Sequence, residues 1–180
     1  MLEEIDDISL VKLVQDSNHS AFAMLVKRHS KLLYGVAYRY TANRAEAEDV
    51  VQGALLKFWE HPYKFNTSLN VPFKAWIVRV AINLAIDKGR RKRPTVDVYE
   101  TMISYEDKTD DSIHQKRLSL KLENAIAKLP ERQRTALNLG MYEEMPYNEV
   151  AVIMNTSLKS VQSLIMRAKE NLKKHIGDGL

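Results

Sequence analysis

Between residues 61 and 71 the chain sets Tyr63, Lys64, Phe65, Asn66, Thr67, Ser68 and Asn70 in one short stretch. Aromatic rings beside amides, hydroxyls and a cation suit an unstacked nucleic-acid base, which needs a face to stack on and donors and acceptors for its edge. The same rings can instead tuck into a core, and taken alone the residues favour that reading, because large aromatics are usually buried. A second cluster closes an apolar run, where Lys88, Arg90, Arg91, Lys92 and Arg93 gather around Gly89. Such a block either complements the negative end of a helix in solvent or holds phosphates. In a third group Lys159, Gln162, Ser163, Met166, Arg167, Lys173 and Lys174 share the outer side of a helical repeat. Gln reads adenine bidentately, Ser bonds several bases and cations hold phosphates, so this face suits a duplex groove. Its other reading is a plain helical hairpin with a solvated face.

Enzyme chemistry finds little support. There is no Gly-rich phosphate loop, HExxH or nucleophile elbow, and His19, His29, His61, His114 and His175 lack ligand spacing. Asp87 beside Arg90 and Arg91 reads as a helix-end ion pair rather than a catalytic acid. Without cysteine there is neither a disulfide framework nor a thiolate metal site. A net charge of +4 permits a polyanionic partner without requiring one. The acidic start MLEEIDDISL lacks the basic flank and apolar core of a signal peptide, and no apolar run reaches membrane-spanning length. The expectation is a soluble cytoplasmic protein.

The clusters need rigid elements to position them, and the central one is 72–94, PFKAWIVRVAINLAIDKGRRKRP. At about 100° per residue Phe73, Trp76, Ile77, Val80 and Leu84 form one stripe, and Val78, Ile82 and Ile86 form a second. This predicts a helix covered on more than one face, with Arg79 and Asn83 on its flank. Pro72 suits the first turn and Gly89 the end. Upstream, Ser9 is expected to cap a short helix through Leu10, Val11, Leu13 and Val14. Ser17 or Asn18 would cap a long one through Phe22, Leu25, Val26, His29, Leu32, Leu33, Val36, Ala37 and Tyr40. Asn43 with Glu46 approximates a capping box for a third helix, whose apolar face is Val50, Ala54, Leu55, Phe58 and Trp59.

After Pro94 apolar periodicity stops. Asp97, Glu100, Glu106, Asp107, Asp110 and Asp111 make 95–112 read as an acidic linker between a first domain, 1–94, and a second, 113–180. Helical spacing returns through Leu118, Leu122, Ile126 and Leu129, and again through Ala136, Leu137 and Leu139 after Pro130. Two last helical patterns meet at Asn155, Thr156 and Ser157, where asparagine suits a left-handed turn and serine an N-cap. This spacing suits a helix-turn-helix whose second helix packs through Val161, Ile165, Ala168 and Leu172, with Leu164 on their flank. The fold expected is all-α, two small helical domains joined by a flexible acidic linker, the C-terminal one a helix-turn-helix.

AEDVVQGALLKFWE at 47–60, the 72–94 stretch, LPERQRTALNL, and the paired helices MPYNEVAVIMN and SLKSVQSLIMRAKENL occur in that order. The ordered set covers nearly the whole chain and resembles the extracytoplasmic-function (ECF) group of bacterial sigma factors, the promoter-specificity subunits of RNA polymerase. The resemblance implies that Asp49, Gln52, Leu56, Phe58 and Trp59 dock on the clamp helices of the polymerase's largest subunit. It implies that Tyr63, Lys64, Phe65 and Asn66, with Arg79, Asn83, Lys88, Arg90 and Arg91, receive the unstacked non-template strand of the minus-ten element. Lys159, Ser160, Gln162, Ser163, Met166 and Arg167 would enter the major groove at the minus-thirty-five element. The implied partners are core RNA polymerase, promoter DNA and an anti-sigma factor, which can be membrane-anchored. No cofactor, metal, small-molecule substrate or catalytic site of its own is implied. Gly53 departs from the family by standing where an acidic residue is usual, and Gln162, Leu164 and Met166 stand where basic or aromatic residues are frequent. Two rival readings share parts of the pattern: a sigma-like decoy that binds an anti-sigma factor without DNA, and a helix-turn-helix repressor that acts without polymerase.

Overall fold

A computed structural model describes residues 5–69, 71–91 and 121–176, the side chains of Arg90 and Arg91 excepted. All regular structure among the described residues is helical. In order these are α1 (Asp7–Gln15), α2 (His19–Thr41), α3 (Arg44–Glu60), a 3-10 turn (Pro62–Lys64) and α4 (Phe73–Arg91). Then follow α5 (121–127), α6 (Glu131–Leu137) running into a π-turn (Asn138–Tyr142), α7 (Tyr147–Ile153) and α8 (Leu158–Ile176). The stretch expected as a linker, 95–112, and the helical spacing at Leu118 lie outside the described residues.

Side-chain caps start the first three helices. Asp6 Oδ1 accepts the amides of Ile8 and Ser9 at 2.9 and 3.0 Å. Ser9, the expected cap, stands inside the helix and donates its hydroxyl to Asp6 at 2.6 Å, since a charged acceptor satisfies orphan amides better than a hydroxyl does. Asn18 caps α2 through the amide of Ala21 at 2.9 Å, and Asn43 caps α3 through that of Glu46 at 3.1 Å. Pro72 stands one position before α4, its carbonyl accepting the amides of Ala75 and Trp76 at 3.0 and 3.2 Å. The helix also continues past Gly89 to Arg91, so the glycine is not its end.

Helices α2, α3 and α4 pack against one another and α1 closes one end. On α4 the two expected stripes join through Ala81 and Ala85, both fully buried, whereas Trp76, Val80 and Leu84 are only half-buried. Small residues at the centre let two helices approach the same α4 surface, as close packing at interior density demands. In the second domain α6 and α7 both lie on α8. The turn between α7 and α8 is built as expected: Asn155 has φ 49°, the amide of Thr156 reaches the carbonyl of Ala151 at 2.9 Å, and Ser157 Oγ accepts the amide of Ser160 at 3.1 Å. Gly140 in the π-turn has no room for a side chain, because a Cβ there would lie 2.9 Å from Ile165 Cδ1 and 3.0 Å from Tyr147 Cε1. Buried Leu139, Met145, Val150 and Ile153 join the apolar core of the first four helices, while Leu129, Leu137 and Ala168 form a smaller cluster.

Candidate nucleic-acid and polymerase interfaces

Helix α3 presents Asp49, Gln52 and Leu56 on one outer face, Leu56 being 53% exposed. Their spacing of three and four residues puts them in one row. Phe58 is not part of it. Two residues from Leu56 means about 200° around the helix, and Phe58 is 0% exposed, packed against Phe73 and Trp76 with ring centroids at 4.8 and 5.8 Å. It is a core residue with no surface to dock. Trp59 is half-buried against His19 and Phe22, at 4.7 and 4.9 Å. A Cβ on Gly53 would lie 3.6 Å from Leu84 Cδ1, so an acidic residue there would begin against an apolar α4 side chain.

The loop after α3 divides its two aromatics. Phe65 is 2% exposed and meets Phe73 and Trp76 edge-on at 5.4 and 5.7 Å, so it offers no stacking face. Tyr63 is 72% exposed, and its hydroxyl donates to the Gln15 carbonyl at 2.9 Å. The Gln15 amide in turn donates to the carbonyls of Pro62 and Phe65 at 3.3 and 3.4 Å. The end of α1 therefore holds the loop from which Tyr63, Lys64 and Asn66 face outward. Gln15 escaped the sequence reading because a single polar residue at a helix end leaves no periodic signal. Asn66 Oδ1 accepts the amide of Ser68 at 2.9 Å, which sets the turn.

Beside this loop the second domain meets the first. The Arg79 side chain donates from Nε to the Ile153 carbonyl and from Nη2 to the Val152 carbonyl, both at 2.8 Å. A cation thus satisfies carbonyls in the last turn of α7, where the helix end is negative. Lys74 Nζ lies 2.7 Å from Glu149 Oε2. Tyr40 and Thr135 hydroxyls are 2.6 Å apart; the Thr135 proton goes to the Glu131 carbonyl at 2.9 Å, so Tyr40 donates. Burial pushes the Tyr40 phenol upward. Arg39 stacks over the Tyr142 ring at 4.2 Å, and Glu143 lies against Gly35, where a Cβ would stand 2.7 Å from Oε1. Burial raises the Glu143 carboxyl above its ordinary value, and Arg39 partly opposes this.

Asn83, one turn beyond Arg79, is exposed. Lys88 Nζ pairs with Asp49 Oδ2 at 2.8 Å, tying a residue expected at DNA to one expected at polymerase. The pair is solvent-exposed, so it contributes only about 0–1 kcal/mol. The side chains of Arg90 and Arg91 lie outside the described residues. On α8, Val161, Ile165 and Ala168 are buried, as expected, and Leu164 is half-buried. Lys159, Gln162, Met166 and Arg167 are exposed, whereas Ser160 and Ser163 are half-buried at the edge of that face.

Among the described residues no helix is long and apolar enough to cross a membrane, and no acidic, histidine or cysteine cluster could hold a metal. Residues 25–95 match the family described as Sigma-70 region 2, and residues 119–172 match Sigma-70, region 4. The chain is 32% identical to the ECF RNA polymerase sigma-E factor of Haemophilus influenzae over 98% of both chains. It is 28% identical to the ECF RNA polymerase sigma factor SigW of Bacillus subtilis, over 93% of this chain and 95% of that one. Among solved structures, CnrH in complex with the cytosolic domain of CnrY is similar in fold, with a TM-score of 0.68 at 24% identity over 93% of this chain and 95% of that chain. RpoE in complex with the anti-sigma factor NepR from Bartonella quintana gives 0.59 at 21% identity, over 88% and 98%. A chain carrying both sigma regions in order, with a relative 32% identical over 98% of both chains, belongs to the ECF family of RNA polymerase sigma factors.

Proposed function

We propose that this sigma factor docks on core RNA polymerase through the outer face of α3, reads the minus-ten strand with the 61–71 loop and α4, and reads minus-thirty-five duplex with α8. As an ECF sigma factor it directs promoter recognition and transcription initiation. The observation that supports the division of labour best is α8 itself. Its inner residues Val161, Ile165 and Ala168 are locked in the core while Lys159, Gln162, Met166 and Arg167 stand outside. A rigid helix so held can present an amide for adenine, an apolar side chain for a thymine methyl and cations for phosphate. On α3, Asp49, Gln52 and Leu56 form the docking row. On the minus-ten side Tyr63 supplies the open ring and Asn83 a donor and an acceptor for a base edge. An anti-sigma factor is the regulatory partner, and the cytoplasm, where polymerase and chromosome meet, is the site of action.

Run-off transcription with core polymerase, followed by sequencing of the promoters used, tests this reading. Transcripts from a defined promoter set are expected only when the chain is added. Duplex binding without polymerase and no transcript would instead identify a repressor. Binding to an anti-sigma factor with neither activity would identify a decoy.

A further inference from the structure

We infer that Gln15, at the end of α1, is a positioning residue for minus-ten recognition: it sets the turn that carries Tyr63, and through it the selectivity at that element, without touching DNA. The inference rests on the 61–71 loop being the minus-ten reader, as proposed above, and adds the support that such reading requires. Three bonds join this one residue to a turn of four. The Gln15 amide donates to the carbonyls of Pro62 and Phe65 at 3.3 and 3.4 Å, the first and last residues of the turn, and only an amide nitrogen with two protons can serve both at this length. Between them Tyr63 returns its hydroxyl proton to the Gln15 main-chain carbonyl at 2.9 Å. That acceptor is open because the last carbonyls of a helix have no partner within it. Those of Lys12, Leu13 and Val14 are taken by the amides of Asp16, Ser17 and Asn18, and Tyr63 serves the one that follows.

Packing alone does not hold the turn. Together with the ends of α1 and α3 it lines a cleft of about 570 Å³, with Val14, Ser17, Trp59 and Glu60 on the other walls, so nothing wedges it from that side. Phe65, buried on Phe73 and Trp76, anchors one end, whereas Tyr63 two residues earlier is 72% exposed. A stacking ring left free to turn is ordered at a cost each time it binds, while one tethered through its hydroxyl presents its face in advance. The brace is itself rigid. Leu10, Val11 and Val14 bury α1 in the core, and Asp7 fixes its first turn to His29 and Arg28 of α2.

Two substitutions in the full chain test this. Gln15→Glu keeps the shape but turns a carboxylate toward two carbonyls, and Gln15→Met keeps the length with neither donor nor charge. Each variant, with core polymerase, is scored by run-off transcription on the promoter the parent prefers and on its single-base variants at both elements. Both are expected to lose discrimination among minus-ten bases by about threefold to tenfold, as the loss of one or two hydrogen bonds allows, while discrimination at minus-thirty-five stays as in the parent. Parent-like minus-ten discrimination in Gln15→Met overturns the inference even where Gln15→Glu is impaired, since the new charge would then be the cause. Equal loss at both elements overturns it as well, because it marks a general weakening of the fold. If the parent itself gives no transcript, the functional reading fails instead, and the brace is judged by hydrogen exchange in the free chain. The amides of Lys64 and Phe65, bonded to the carbonyls of His61 and Pro62, should then exchange several-fold faster in Gln15→Met than in the parent, and unchanged rates refute it.

Discussion

Asp7 joins two bases at once, His29 Nε2 at 2.7 Å and Arg28 Nη1 at 2.9 Å, and so fastens α1 to α2 beside Phe73. The hydrogen bond from His29 is the main reason its carboxyl sits below the ordinary value, against opposing burial and with help from Arg28. A depressed folded-state value means that this stabilisation is complete above the unfolded value near about 3.9 and is lost as pH falls through the folded one. Asp7→Asn should therefore lower stability by about 1.5–3 kcal/mol at neutral pH. Melting followed across a pH series should show the gap from the parent closing in acid. Glu143 has the opposite sign: its value is raised by burial, so its ionised form opposes its packing against Gly35 of α2 and protonation relieves it. Glu143→Gln should raise the melting temperature slightly at neutral pH and leave it unchanged in acid. The two loop aromatics separate fold from reading. Phe65→Ala should cost about 3–5 kcal/mol, whereas Tyr63→Ala should stay within about 1 kcal/mol in a thermal melt while weakening open-complex formation. Sequence alone could not assign these two rings, because an irregular loop has no period to tell inside from outside.

At the scale of the helix the sequence was far more readable. Apolar residues three and four apart placed α2, α3, α4 and α8, and polar cap residues placed the starts of α2 and α3 and the turn before α8. Phe58 shows what was available but unused, since its position about 200° from Leu56 already separates a docking face from a core face. Misplaced ends have local causes: two acidic residues precede Ser9, so Asp6 took the cap, and contacts with α2 and α3 carried α4 beyond Gly89. A glycine need not end a helix whose flanks are packed, although it weakens one. Gly53 is such a case within α3. A Cβ there would make ordinary contact with Leu84 at 3.6 Å, so Gly53→Ala should stabilise the chain by about 0.5–1 kcal/mol, readable as a higher denaturant midpoint with an unchanged slope.

For the whole molecule, the division into two helical regions was legible, but their mutual packing was not. Apolar periodicity marks Leu139, Val150 and Ile153 as buried without saying against which neighbour, although they share one core with the first four helices, and the polar joining contacts use a phenol, a hydroxyl, a cation over a ring and main-chain oxygen atoms, none of which leaves a periodic trace. Tyr40→Phe isolates one of them. It leaves the Thr135 hydroxyl bonded to Glu131 and removes only the Tyr40 donor, so the loss should be about 0.5–1.5 kcal/mol by chemical denaturation. The contact made by Arg79 differs in kind from the rest, because both its acceptors are carbonyls of the polypeptide itself. Every amino acid carries the same carbonyl, so no exchange of the side chain at 152 or 153 deletes either acceptor. Variation along the face of α8 proposed to read DNA then leaves the restraint on Arg79 in place. The interaction has one mutable end, and that end is the residue proposed to face DNA, so a lineage that discards the restraint by changing position 79 also discards part of its reading edge.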